Sequence, residues 1–145
     1  RRFQEVFSQL FGGGTAQIVL TDPDNILTGG IDFYIQPPGK KRQQLTLLSG
    51  GERALTVIAL LFSFLDYRPA PFCVLDEVDA ALDEANVERF SSYLNRINKE
   101  TQFIVVSHRK KTMEAAEVLQ GVTMVERGVS RLLTVAFEDV KEDLA

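Results

Sequence analysis

The chain of 145 residues has no tryptophan, one cysteine and one histidine. The single Cys73 excludes an internal disulfide, and with it a stapled small scaffold. It lies in an apolar run, where a thiol packs as a small hydrophobe, as in a reducing compartment. Long hydrophobic runs are missing too. The longest, residues 54–65, is too short to cross a bilayer and is interrupted by Thr56 and Ser63. No signal-peptide pattern opens the chain, since Arg1-Arg2 leads directly into an amphipathic segment. Positive charge is not in excess: 16 Lys and Arg against 20 Asp and Glu leave a formal charge of -4. That excludes a domain whose whole surface coats nucleic acid, though not a local basic patch. The first residue is not Met, so the chain reads as a piece of something longer or one part of a split domain.

What is present is globular. Hydrophobic residues at 45% and charged residues at 25% are ordinary usage, so about one domain with a real core is expected. Phe3, Phe7 and Leu10 recur at helical spacing, predicting a helix over 1–11 that Gly12-Gly13-Gly14 ends. Residues 16–20 and 31–35 read as strands separated by a turn-rich stretch, and Pro37-Pro38-Gly39 closes the second. Residues 40–44 read as a polar loop. Ser49 and Glu52 have the spacing of a capping box. The helix that follows, to about residue 65, is apolar nearly all round and is expected to be buried. Pro69 and Pro71 prevent its continuation.

Residues 72–75 form a continuous apolar run ending in Asp76-Glu77, as expected of a strand buried on both faces of a parallel sheet. Asp83 is placed to cap a helix with the stripe Val87, Phe90, Leu94 and Ile97. Residues 103–106 form a second such strand, ending in Ser107-His108. Strand, helix and strand in this order predict a βαβ unit with a right-handed crossover. A helix over about 112–120, stopped by Gly121, and a hairpin of 122–125 and 129–135 turning at Arg127-Gly128 complete the reading. The acidic tail from 138 is expected to fray. The fold class is α/β, with a mainly parallel core sheet flanked by helices, plus antiparallel hairpins.

Ligands of open α/β sheets bind beyond the carboxyl ends of the strands. Two consecutive strands end there in Asp76-Glu77 and Ser107-His108. One carboxylate can help hold Mg²⁺, the next can orient or deprotonate an attacking water, and a histidine can hydrogen-bond a phosphate oxygen. Ser49-Gly50-Gly51 at a helix start offers free N–H groups and close backbone approach to an anion. Glu52 is awkward beside a phosphate unless its carboxylate turns back to the Ser49 N–H. Each feature has a plain structural reading: a loop into a helix, a satisfied histidine, a well-capped helix. Their convergence on one nucleotide chemistry selects the functional one. A phosphate-gripping loop is absent. Gly39-Lys40 fails the G-x-x-x-x-G-K-[ST] pattern because Tyr34 stands at the first glycine and Lys41 at the Ser/Thr. The gripping half must lie on another segment or chain. The basic clusters Lys40-Lys41-Arg42 and Arg109-Lys110-Lys111 are solvated loops or contacts to DNA phosphates, and lack the interleaved aromatics that stack bases.

Leu48-Ser49-Gly50-Gly51-Glu52 resembles the signature motif of ATP-binding-cassette ATPases. Residues 72–77 resemble their Walker B strand, Ala81-Leu82-Asp83 the D-loop and Ser107-His108 the switch histidine. Transporter cassettes read L-S-G-G-Q and D-E-P-T. Here Glu52 and Asp76-Glu77-Val78-Asp79-Ala80-Ala81-Leu82-Asp83 are similar to structural maintenance of chromosomes (SMC) proteins. Pro37-Pro38-Gly39-Lys40-Lys41 and Pro69-Ala70-Pro71-Phe72 extend the likeness to nearly the whole chain, and the bacterial type is nearest.

The resemblance implies the C-terminal half of an ATPase head acting in chromosome condensation and segregation. Residues 1–11 would be the base of a coiled-coil arm and 12–145 the lobe. The N-terminal half of the same head would bring the Walker A loop, and a second head would dimerise with this one around ATP and Mg²⁺. Ser49, Gly50, Gly51 and Glu52 would form the surface facing the opposing head's γ-phosphate. Asp76 would support Mg²⁺, Glu77 would activate water, His108 would sense the γ-phosphate, and Asp83 would lie at the head-head contact. A kleisin subunit and DNA would be partners, with no membrane, in a cytoplasmic, nucleoid-associated setting. The alternatives are a RecN-like cassette ATPase of DNA repair and a cassette-fold module that engages partners without turnover.

Overall fold

The structure is a computed structural model that describes residues 1–97 and 100–136, so the acidic tail from 138 lies outside the described residues. Helix α1 (Arg2–Phe11) buries Phe3, Val6, Phe7, Leu10 and Phe11 and ends at Gly12, whose left-handed φ of 69° turns the Gly13 N–H back to the Ser8 carbonyl at 2.7 Å. Strands β1 (Thr15–Leu20) and β2 (Ile31–Gln36) pair antiparallel, with Ala16 opposite Ile35 and both buried. Within the polar stretch expected to be a loop, β3 (Gln43–Gln44) adds a short third strand against Tyr34 and Ile35.

A 3₁₀ turn (Leu45–Leu47) leads into α2 (Gly50–Tyr67). Strand β4 (Phe72–Asp76), α3 (Glu84–Ile97) and β5 (Gln102–Val106) form the expected parallel βαβ unit, with Leu75 opposite Val105. The core lies where α1, α2 and α3 meet. Phe7, Leu55, Phe62 and Phe90 are fully buried there. The Phe62 ring stacks on Tyr93 at 5.2 Å and on Phe90 at 6.0 Å, and meets Phe103 edge-on at 6.0 Å. Such ring pairs add to the burial of their large apolar area. Cys73 is half-buried, and burial pushes its thiol pKa up, as suits a packing role.

Three expectations are corrected. Neither strand of the parallel pair is buried on both faces. Phe72, Val74, Ile104 and Val106 are 49–60% exposed, because no described element lies over that side of β4 and β5. Helix α2 is likewise not enclosed: Val57, Phe64 and Tyr67 face out while Leu55, Ile58, Ala59 and Phe62 face in. The helix expected over 112–120 is only α4 (Lys110–Glu114). Strand β6 (Val118–Glu126) begins within the expected helix and pairs antiparallel with β7 (Val129–Ala136), which puts Gly121 mid-strand opposite Leu133. Ladder pairing of Val118, Leu119 and Gln120 outweighs the weak helical preference of this stretch. The turn at Arg127-Gly128 is where it was expected.

Candidate functional site

Parallel pairing puts the ends of β4 and β5 side by side. Asp76 pairs with Val106, and the next N–H, of Glu77, donates to the Val106 carbonyl at 2.9 Å. Glu77 Oε1 therefore lies 4.0 Å from His108 Nδ1, with both side chains exposed. Two residues 31 positions apart in the chain thus form one pair at the strand ends. Glu77 has φ of 48°, in the left-handed region. A non-glycine residue pays about 1–2 kcal/mol for that conformation. The hydrogen bond to Val106, and the Ala80 N–H donating back to the Glu77 carbonyl at 3.1 Å, hold it in place. Asp76 is exposed at the same end.

The turn that follows contains a residue that sequence reasoning registered only as part of a motif. Asp79 is fully buried. Its Oδ2 accepts hydrogen bonds from Ser107 Oγ at 2.6 Å and from Thr112 Oγ1. Nothing in the flanking residues singled it out, because the donors to its carboxylate lie 28 and 33 positions along the chain. Asp83 caps α3 as expected, its Oδ1 accepting from the Asn86 N–H at 2.8 Å.

The start of α2 is the expected capping box. Ser49 Oγ accepts from the Glu52 N–H at 3.4 Å, and Glu52 Oε2 accepts from the Ser49 N–H at 3.2 Å and from its hydroxyl at 2.8 Å. Lys40, read in the sequence only as part of a basic cluster, sets its Nζ 2.9 Å from the other carboxylate oxygen, Oε1. Burial by itself would raise the Glu52 pKa. The Lys40 ammonium and the Ser49 hydroxyl and N–H outweigh it and hold the carboxyl below the ordinary glutamate range. Among the described residues a Cβ on Gly50 would meet nothing within 4 Å, so none of them demands glycine there. A Cβ on Gly51 would lie 3.0 Å from the Ala81 carbonyl, so the start of α2 packs closely on the turn after β4.

The site residues therefore fall into two groups: Asp76, Glu77 and His108 at the strand ends, and Ser49, Gly50, Gly51 and Glu52 at the helix start. Gly51 against Ala81 links them. Among the described residues no three His, Cys, Asp or Glu side chains converge as a metal cage. An exposed Asp76 fits Mg²⁺ nonetheless, because that ion is usually held by one or two carboxylates, with water and substrate phosphates filling its shell. Among the described residues no helix is long and apolar enough to cross a membrane.

Residues 30–131 match the RecF/RecN/SMC N-terminal domain family. The chain is 63% identical over 140 residues to the chromosome partition protein Smc of Bacillus subtilis, covering 97% of this chain and 12% of that protein. It superposes on the Smc head domain with an extended coiled coil, bound to the C-terminal domain of ScpA, from Pyrococcus furiosus. The TM-score is 0.89 and the identity 38%, over 99% of this chain and 36% of that one. A chain solved in work on ATP-driven dimerization and DNA-stimulated activation of SMC ATPases gives a TM-score of 0.87 at 38% identity, over 99% of this chain and 87% of that one. The chain thus spans about an eighth of the length of the curated relative. The chain belongs to the RecF/RecN/SMC family and has the fold of an SMC head domain.

Proposed function

We propose that this chain supplies the water-activating strand ends and the γ-phosphate-facing helix start of an SMC head that hydrolyses ATP between two engaged heads. The observation that carries the reading is the approach of Glu77 to His108 at the carboxyl ends of two parallel strands, open to solvent on the side a nucleotide would reach. In this mechanism Glu77 accepts a proton from, or orients, the attacking water, and His108 hydrogen-bonds the γ-phosphate. Asp76 supports Mg²⁺, which supplies charge neutralisation at the phosphates when bound. Ser49, Gly50 and Gly51 meet the γ-phosphate held by the opposing head, and the open space at Gly50 suits that approach. Glu52 is kept off the phosphate by the capping box and by Lys40. Asp83 sits at the head-head contact and links the two sites.

The N-terminal half of the head brings the missing Walker A loop. The bare apolar face of Phe72, Val74, Ile104 and Val106 is suited to lie under it. Helix α1 is the base of the coiled-coil arm, and residues 12–145 form the lobe. A nucleotide that adds contacts between heads only while its γ-phosphate is present favours the engaged state, and hydrolysis releases it. By likeness to the ScpA-bound head, a kleisin is a partner. DNA organisation and chromosome segregation in the nucleoid are the whole protein's task, by likeness to the chromosome partition relatives.

The test is a head reassembled from this chain and its N-terminal half. Glu77→Gln is expected to lower turnover by about 10²-fold or more while ATP-dependent dimers persist in sedimentation. Hydrolysis within a few-fold of the unmodified head would remove Glu77 from the role.

A further inference from the structure

We infer that Asp79 is a positioning residue, a buried latch that ties the loop carrying His108 to the turn leading into Asp83, so that the two move as one body. The inference rests on the reading above and adds a residue to it. Asp79 is fully buried, yet both donors to its Oδ2 come from far along the chain: Ser107, immediately before His108, and Thr112, four residues after it. Arg109 adds one more tie, its guanidinium Nη2 donating to the Leu82 carbonyl, one residue before Asp83, while its N–H braces Ser107 Oγ within the loop at 3.0 Å. The segment 107–112 is thus pinned on both sides of His108 to the segment 79–82. Glu77 lies at the root of the same turn, where its carbonyl accepts from the Ala80 N–H and the Asp79 carbonyl from the Leu82 N–H.

The hydroxyl-to-carboxyl bonds are directional, so they fix where the loop after β5 leaves its strand, and with it the ring of His108. Among the described residues, Asp79 Oδ1 and Arg109 Nε are buried without a hydrogen-bond partner. Engagement of Asp83 by an opposing head would then be felt at His108 through Leu82, Arg109, Ser107 and Asp79. Such a route has physical meaning only if breaking it uncouples the two ends.

The reassembled head tests this with Thr112→Val, which removes one donor at nearly constant shape and touches none of the residues assigned to water, phosphate or metal. The expected result is a 3- to 10-fold fall in kcat, about the effect of one hydrogen bond, with KM for ATP unchanged. In a Glu77→Gln background the ATP-dependent dimer fraction should fall as well. Thr112→Ser should restore both. Asp79→Asn, which keeps an oxygen for both hydroxyls, should stay near the unmodified head, whereas Asp79→Ala should lose turnover. If Thr112→Val lowers the melting temperature but leaves kcat and dimer fraction unchanged, Asp79 is only a structural residue and the latch is overturned. Loss that Thr112→Ser does not rescue overturns it too. Normal hydrolysis by Glu77→Gln would instead sink the catalytic reading, so the two failures are distinguishable.

Discussion

Glu52 puts a negative charge at a helix start that should welcome an anion, and its surroundings remove the conflict. Both carboxylate oxygens are engaged, one by Ser49 and one by Lys40. Because the folded-state pKa lies below the ordinary value of 4.5, the contribution of Glu52 to stability is complete above that value and is lost as pH falls through the lower native one. Lys40 is largely exposed, so its share is modest, about 0.5–1 kcal/mol. Lys40→Gln should therefore lower the melting temperature slightly at neutral pH, and the gap to the unmodified chain should close in acid once Glu52 is protonated. A gap that stays constant through the acid range would show that the Lys40 ion pair is not its source. Ser49, Glu52 and Asp83 were legible in the sequence because capping is chemistry among residues three apart. Lys40 and Asp79 were not, because their partners lie 12 to 33 residues away and no spacing rule reaches that far. The left-handed Glu77 was equally hidden, since its conformation is imposed by β5 and not by its neighbours in sequence.

Helix α2 combines a structural job and a proposed binding job at one end, and substitution can separate them. Ser49→Ala should cost about 1 kcal/mol of stability as a lost cap. Ser49→Arg should do that and also place a bulky cation where the opposing nucleotide would approach. Sedimentation with ATP should then find no dimers, while ATP binding by the N-terminal half stays intact. Unchanged dimerisation would take Ser49 out of the contact. The elements α1, α2, α3, β4 and β5 could be read in advance, because their apolar periodicity and their Gly, Pro and Asp punctuation agree. The segment after α4 could not. Met113, Ala115 and Ala116 favour helix locally, but the ladder with β7 captures the chain from Val118, and a partner strand in the pairing is invisible to a local window.

Taken as a whole, the molecule has a closed core on one side and an unfinished sheet on the other. The α/β class and the βαβ unit followed from strand and helix patterns. The bare side of β4 and β5 did not, since an apolar run reads the same whether its cover comes from this chain or from another. The same incompleteness applies to the chemistry. Without a G-x-x-x-x-G-K-[ST] loop, the chain alone should show no ATP hydrolysis above background, and adding the N-terminal half should restore it. Robust turnover by the isolated chain would falsify the shared-site reading.

The uncovered stripe of Phe72, Val74, Ile104 and Val106 has a corollary inside a cell. Chaperones and proteases recognise unfinished proteins by surfaces of this kind. A head that failed to close over this stripe would show it to that machinery, so completing the head and escaping disposal would be one event.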